Sequence, residues 1–220
     1  MEIKEKFSGI YLIDNNLATI NSAPGFKPFG EHTEVIDKKE YRFWDPYRSK
    51  AAAAIIKGVK EFPIKIGIKI LYLGAAHGYT CSFLSNIIGN KGIIYAIEFS
   101  ERCFHELLPI CEKYKNIVPI LADARKPELY SWVEKVDVVY CDIAQPDQTE
   151  IAIRNCNEFL KEKGWLMLAV KTQSIDVTKS TKEITRQEIE KLKNAGFEII
   201  DWKILDPFEE KHSFIIARKV

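Results

Sequence analysis

No stretch of this 220-residue sequence approaches the roughly 18 consecutive apolar residues that a membrane-spanning helix needs. Its opening, Met1-Glu2-Ile3-Lys4-Glu5-Lys6, is too charged to start a signal peptide, so the expected location is cytoplasmic. Charge of one sign is also scarce: 32 Lys and Arg stand against 31 Asp and Glu, a net charge of +1. Phosphate contacts dominate nucleic-acid affinity and draw on a cationic surplus, so a chain this balanced would need partners to hold a polyanion. The five cysteines, Cys81, Cys103, Cys111, Cys141 and Cys156, include no C-x-x-C pair. An odd count in mostly apolar segments reads as free thiols in a reducing compartment, with no metal site. Repeats, low-complexity tracts and long linkers are missing too. What is left, with 46% hydrophobic residues, is enough for one good core and a small appended domain.

Against these absences, one stretch stands out. Ile70-Leu71-Tyr72-Leu73 runs into Gly74-Ala75-Ala76-His77-Gly78-Tyr79-Thr80, an apolar strand breaking into two glycines and then a helix-like pattern. Glycine lets backbone turn sharply and approach a ligand, and the free N–H groups of the next helix favour electronegative atoms. A second apolar run, Ile93-Ile94-Tyr95-Ala96-Ile97, ends in Glu98. That acid falls about twenty residues after Gly78, the interval at which such folds place a carboxylate on ribose hydroxyls. The G-x-G-x-x-G fingerprint, which serves a dinucleotide's pyrophosphate, is absent. The spacing therefore favours S-adenosyl-L-methionine, which has no pyrophosphate.

Residues 1–46 have a different texture. Short β-type runs at 8–13, 17–20, 33–36 and 41–44, separated by Asp14-Asn15-Asn16 and Pro24-Gly25-Phe26-Lys27-Pro28, predict a small antiparallel subdomain. A helix should open over Tyr47 to Ile56, capped by Ser49 or Asp45. In 47–220 the predicted strands are 68–73, 93–97, 117–121, 136–141, 165–170, 197–205 and 212–218. Crossover-length segments separate the first four, which implies a parallel sheet buried on both faces. Ser180-x-x-Glu183 has capping-box spacing, and Gly196 suits a helix C-terminus. The last two strands are joined by too few residues for a helix and must pair as a hairpin. The expected fold is thus α/β, a seven-stranded Rossmann-like sheet with a reversed last strand.

Ligands of such sheets collect beyond the carboxyl ends of the strands. Those ends present Gly74 to Thr80, Glu98-Phe99, Asp123-Ala124, Asp142-Ile143-Ala144-Gln145 and Lys171. Glu98 suits ribose hydroxyls, Asp123 an adenine amino group, Phe99 the face of a base and Asp142 a cationic methionine end. Taken alone, Asp123 serves equally well as a strand-end cap. Methylating a hydroxyl also requires a proton acceptor, and a lysine held by a carboxylate beside a second ammonium can supply one. Lys171 and Asp142 fit that description. Lys50 reads, on spacing alone, as a surface lysine. His77 would cover the cofactor entrance, His212 is open between roles, and His32 and His105 read as structural.

Six segments, taken together and in order, carry a resemblance. They are Tyr41-Arg42-x-Trp44-x-Pro46-x-Arg48-Ser49-Lys50, Leu71-Tyr72-Leu73-Gly74-Ala75-Ala76, Glu98-Phe99-Ser100, Pro119-Ile120-Leu121-Ala122-Asp123-Ala124-Arg125, Asp142-Ile143-Ala144-Gln145-Pro146 and Ser174-Ile175-Asp176-Val177-Thr178-Lys179. Over essentially the whole chain the sequence resembles fibrillarin, in the short archaeal form without a Gly/Arg-rich tail. The resemblance implies an RNA 2′-O-ribose methyltransferase that uses S-adenosyl-L-methionine and acts on rRNA and tRNA. It implies as partners a box C/D guide RNA, a Nop-type scaffold protein and a kink-turn-binding protein. It places cofactor contacts on Gly74, Ala75, Tyr79, Thr80, Glu98, Phe99, Asp123, Ala124, Asp142, Ile143, Ala144 and Gln145, and the catalytic set on Lys50, Asp142, Lys171 and His212. Two departures stand out: His77 and Tyr79 where family members carry Ser and Thr, and Thr172-Gln173 where they carry Ala-Arg. Two rivals are a metal-dependent O-methyltransferase, which Lys171 at the fifth strand end disfavours by repelling a divalent ion, and a cofactor-binding assembly subunit without activity.

Overall fold

The computed structural model describes residues 2–220. Seven strands form the main sheet: β6 (Lys69–Leu73), β7 (Ile93–Glu98), β8 (Ile117–Leu121), β9 (Val136–Cys141), β10 (Leu160–Lys171), β11 (Phe197–Ile204) and β12 (His212–Lys219). Their order is β11-β12-β10-β9-β6-β7-β8. Neighbours from β10 through β8 are parallel, while β12 runs antiparallel to both β10 and β11. The hairpin expected at the C-terminus thus inserts its second strand into the sheet as the reversed member.

Period-two alternation divides the core in two. Ile70, Tyr72, Val138, Tyr140, Met167 and Ala169 pack on one face, while Leu71, Leu73, Val139, Cys141, Leu166, Leu168 and Val170 pack on the other. Because both faces are covered by helices, the strands read as unbroken apolar runs rather than alternating ones. The helices are α1 (Lys50–Ile56), α2 (Tyr79–Ile88), α3 (Glu101–Lys113), α4 (Gln148–Phe159) and α5 (Thr181–Asn194). The capping box at Ser180 and Glu183 forms, and Gly196 follows α5 at φ +83°. No helix among the described residues is long and apolar enough to cross a membrane.

The N-terminal sheet has five strands, ordered β1-β2-β3-β5-β4, where four were expected. The additional one is β1 (Ile3–Phe7), a mostly exposed edge strand whose charged residues hid it. β2 is shorter than expected, Ile10–Ile13, because Ser8-Gly9 forms a turn. β3 (Asn16–Ile20), β4 (Thr33–Ile36) and β5 (Lys39–Phe43) complete the sheet. Ile10, Leu17 and Trp44 belong to the same buried cluster as α1 and α2, and the Trp44 ring stacks on Phe83 at 5.0 Å. Buried Arg42, paired with Glu31, lies 3.9 Å above the Phe83 ring and donates to the Tyr114 hydroxyl. These contacts fix the end of the small sheet, and so the start of α1, against the main one. That helix begins at Lys50, with Ser49 as its N-cap; Tyr47 and Arg48 stay in a turn.

Candidate active site

The glycine loop is shaped by contacts that exclude side chains. Gly74 has φ +81°, and a Cβ there would lie 2.4 Å from the Asp142 carbonyl oxygen. Only glycine lets the end of β6 lie this close to the end of β9. The N–H groups of Gly74 and Ala75 both donate to the Ile97 carbonyl at 3.0 Å. The Ala76 N–H donates to Glu98 at 2.8 Å, and the other Glu98 oxygen accepts from the Ser100 N–H at 2.8 Å. Glu98, buried at 8% exposure, therefore braces the loop, with lone pairs left for a ligand.

A cavity of about 220 Å³ opens beside this loop. Gly74, Glu98, Phe99, Asp123, Ala124, Asp142, Ile143, Ala144 and Gln145, all expected from the sequence, line it. Phe99 stands at its rim with 66% of its surface exposed. Ala76 of the glycine loop lines it too; Ile97, Ala122 and Ile151 add apolar surface, and Cys103 and Arg125, which escaped the sequence reading, complete the lining. The apolar liners sit one step before strand-end acids or on the next helix, where strand alternation offers a signal; Cys103 offers none. Hydrogen bonds from Arg125, at 3.0 and 2.8 Å, lower the pKa of the Asp123 carboxyl.

Three expected contacts lie elsewhere. Ala75, Tyr79 and Thr80 are not in the cavity lining. The first turn of α2 carries Tyr79 toward the N-terminal sheet, where its ring meets Phe29 at 5.2 Å and Arg48 at 4.4 Å, and its hydroxyl accepts from the Asp45 N–H at 3.2 Å. Thr80 is buried with its hydroxyl 2.9 Å from that of Ser49. Both side chains tie the loop to the segment before α1. His77 does not line the cavity either; its Nδ1 lies 3.3 Å from Glu106.

Asp142 connects the cavity to a second group. Its two oxygens each lie 3.2 Å from Lys50 Nζ. Burial pulls the Lys50 ammonium down, but Asp142 and, after it, Glu209 outweigh this and hold its pKa above the ordinary lysine value. Lys171 and His212 are register partners across β10 and β12. The buried amide of Gln148 accepts from the Lys171 N–H at 3.0 Å and donates to its carbonyl at 3.3 Å, fixing the strand end. His212 Nδ1 lies 2.8 Å from the Glu210 carbonyl. A carbonyl only accepts, so Nδ1 carries the proton and the lone pair is on Nε2. Burial, then Lys50, lower the His212 pKa, so the ring is neutral near pH 7. The four residues expected to be catalytic thus form two pairs, Lys50 with Asp142 and Lys171 with His212, and the charges of Lys50, Asp142 and Lys171 all act on the His212 ring; Gln148 was the supporting residue that the sequence did not reveal.

The cavity's chemistry selects its guest. It offers carboxylate acceptors, an exposed ring and apolar walls, while the one lining cation among the described residues, Arg125, is forked onto Asp123. That set suits a nucleoside and offers no free cation to a pyrophosphate. Combined with six co-directional strands and a reversed β12, it defines the methyltransferase form of the doubly wound sheet.

Comparison narrows the class. The family model for fibrillarin matches residues 1–220, and the chain belongs to that family. A fibrillarin-like rRNA/tRNA 2′-O-methyltransferase of Pyrococcus abyssi is 47% identical over 222 residues, covering 98% of this chain and 97% of the relative. Aeropyrum pernix fibrillarin, solved with natively bound S-adenosyl-L-methionine, is 44% identical with a TM-score of 0.91 over 99% of this chain and 98% of that one. The fibrillarin of a solved fibrillarin/Nop5p complex is 41% identical with a TM-score of 0.90, covering 99% and 100%.

Proposed function

We propose that this chain is an S-adenosyl-L-methionine-dependent RNA 2′-O-ribose methyltransferase that modifies rRNA and tRNA at nucleotides chosen by a box C/D guide RNA. One observation carries the reading: Asp142 belongs both to the nucleoside-sized cavity and to the group of Lys50, Lys171 and His212. The electrophile and the proton acceptor are thereby brought to one place, which is what in-line transfer to a hydroxyl demands. When bound, S-adenosyl-L-methionine supplies the methyl group.

The residues divide the work. Glu98 accepts from ribose hydroxyls, Asp123 from the adenine amino group, and Phe99 covers the base. Gly74 and the backbone of Ile143, Ala144 and Gln145 shape the wall. Lys50, held as an ammonium, keeps Asp142 fixed. Proton removal falls to His212, whose neutral ring keeps a lone pair on Nε2, with Lys171 beside it across the β10–β12 register as the cation that steadies the charge developing on the ribose oxygen. Such a base contributes roughly 10² to 10⁴ in rate.

Partners follow from the charge and the relatives. A chain with a net charge of +1 gains little from phosphate contacts alone. We assign the holding of RNA to a Nop-type scaffold, for which the fibrillarin/Nop5p complex is the precedent, together with a kink-turn-binding protein. Five free cysteines suit a cytoplasmic setting. The test is twofold. Saturable binding of S-adenosyl-L-methionine without binding of a nicotinamide dinucleotide is expected of the isolated chain. Methyl transfer by the assembled particle is expected to persist in EDTA, and its loss there would favour the metal-dependent rival.

A further inference from the structure

The group around Asp142 contains a fifth charged side chain. Lys50 and Lys171 bring two ammonium charges, and Asp142 supplies one negative charge. Glu209, in the turn between β11 and β12, supplies the other. Its side chain is only 19% exposed, and its carboxylate lies 4.0 Å from His212 Nδ1. The turn holds it there: the Glu209 N–H donates to the Leu205 carbonyl at 3.4 Å, and the Glu209 carbonyl accepts from the His212 N–H at 3.3 Å. A loop carboxylate with no task stays in water, since burying the charge is unfavourable unless cations compensate it.

The groups facing Glu209 come from four elements. They are Lys50 of α1, Tyr140 with Asp142 at the end of β9, Lys171 of β10 and His212 of β12. Burial is the largest influence and, with Asp142, leaves the Glu209 pKa above the ordinary carboxylate value, against the downward pull of Lys50 and Lys171. In return Glu209 helps to hold Lys50 charged.

We infer that Glu209 is a positioning residue for the transfer: with Asp142 it balances the two ammonium groups, and it holds Lys50, Lys171 and the His212 ring in one arrangement. The inference rests on the methyl transfer proposed above. Asp142 binds Lys50 from the cavity side, and Glu209 closes the group from the β12 side. Neither carboxylate alone neutralises both lysines.

The experiment uses the complete particle with Glu209→Gln and Glu209→Asp, alongside wild type. For Glu209→Gln, kcat is expected to fall by about 10- to 100-fold, while the Kd for S-adenosyl-L-methionine and the melting temperature stay near wild type. Removing a negative charge lowers the pKa of neighbouring cationic groups, so the acid limb of the pH–rate profile should move to lower pH. The His212 ring pKa, followed by NMR in the cofactor-bound chain, should fall in the same direction even if turnover is too slow to measure. Glu209→Asp should recover part of kcat and restore the profile. Wild-type kcat and pH profile in Glu209→Gln would overturn the role, as would a lower kcat with both the profile and the His212 pKa unmoved. A wild-type particle that puts no methyl group on ribose would instead overturn the proposed function, and this role with it.

Discussion

Asp142 answers to two masters, the cavity wall and the Lys50 ammonium, so its removal should be the most damaging single change. Asp142→Ala is expected to lower methyl transfer by at least about 10²-fold, measured by single-turnover assay, with the protein still folded. Gly74→Ala tests the loop: a Cβ 2.4 Å from the Asp142 carbonyl must push β6 and β9 apart, so cofactor binding should weaken and the melting temperature should drop. Lys50 gives a pH prediction. Its pKa is raised in the folded protein, so its pairing stabilises fully below the unfolded lysine value of about 10.5. That stabilisation is lost as pH rises through the folded value. The stability difference between wild type and Lys50→Met should therefore shrink only at strongly alkaline pH, as thermal unfolding across a pH series would show. The places of Glu98, Asp123, Asp142 and Lys171 at the carboxyl ends of neighbouring strands were legible in the sequence, because strand ends announce themselves. The direction of the Tyr79 side chain was not legible, because position in a motif does not fix where a helical side chain points, and here it packs on Phe29 and Arg48.

Two helix starts with similar chemistry have different consequences. Ser180 caps α5 and does not line the cavity, whereas Ser49 caps α1 directly before Lys50 and bonds to Thr80. Either Ser→Ala change should cost about 1 kcal/mol of stability, read by denaturant unfolding. Only Ser49→Ala should also depress methyl transfer, because it loosens the anchor of Lys50. Elements with strong periodicity or caps, such as β6, β7, β9 and α5, were readable from sequence. β1 was not, since an exposed edge strand rich in Lys and Glu carries no apolar signature. β10 starts at Leu160, earlier than the apolar run at 165–170 suggests, because Leu160 pairs with Val136 before an irregularity and the main run. Glu209 was invisible for a related reason: only the β11–β12 turn brings it beside His212.

At the scale of the molecule, the small N-terminal sheet is part of the site's foundation. Trp44 on Phe83 and Arg42 against Glu31 and Tyr114 lock it to α2 and to the end of α3, and the segment that follows delivers Lys50. On the proposed function, a chain of near-neutral charge relies on its assembly to hold RNA. The isolated protein should bind cofactor yet leave free RNA unmethylated, with activity appearing on addition of scaffold, kink-turn protein and guide. The most direct measurement maps labelled methyl groups on target RNA in that reconstituted particle. With the guide's complementarity shifted by one nucleotide, the label is expected to shift by one nucleotide and to lie on the ribose 2′-oxygen. A label that ignores the shift, or that lands on a base, would contradict the proposed function.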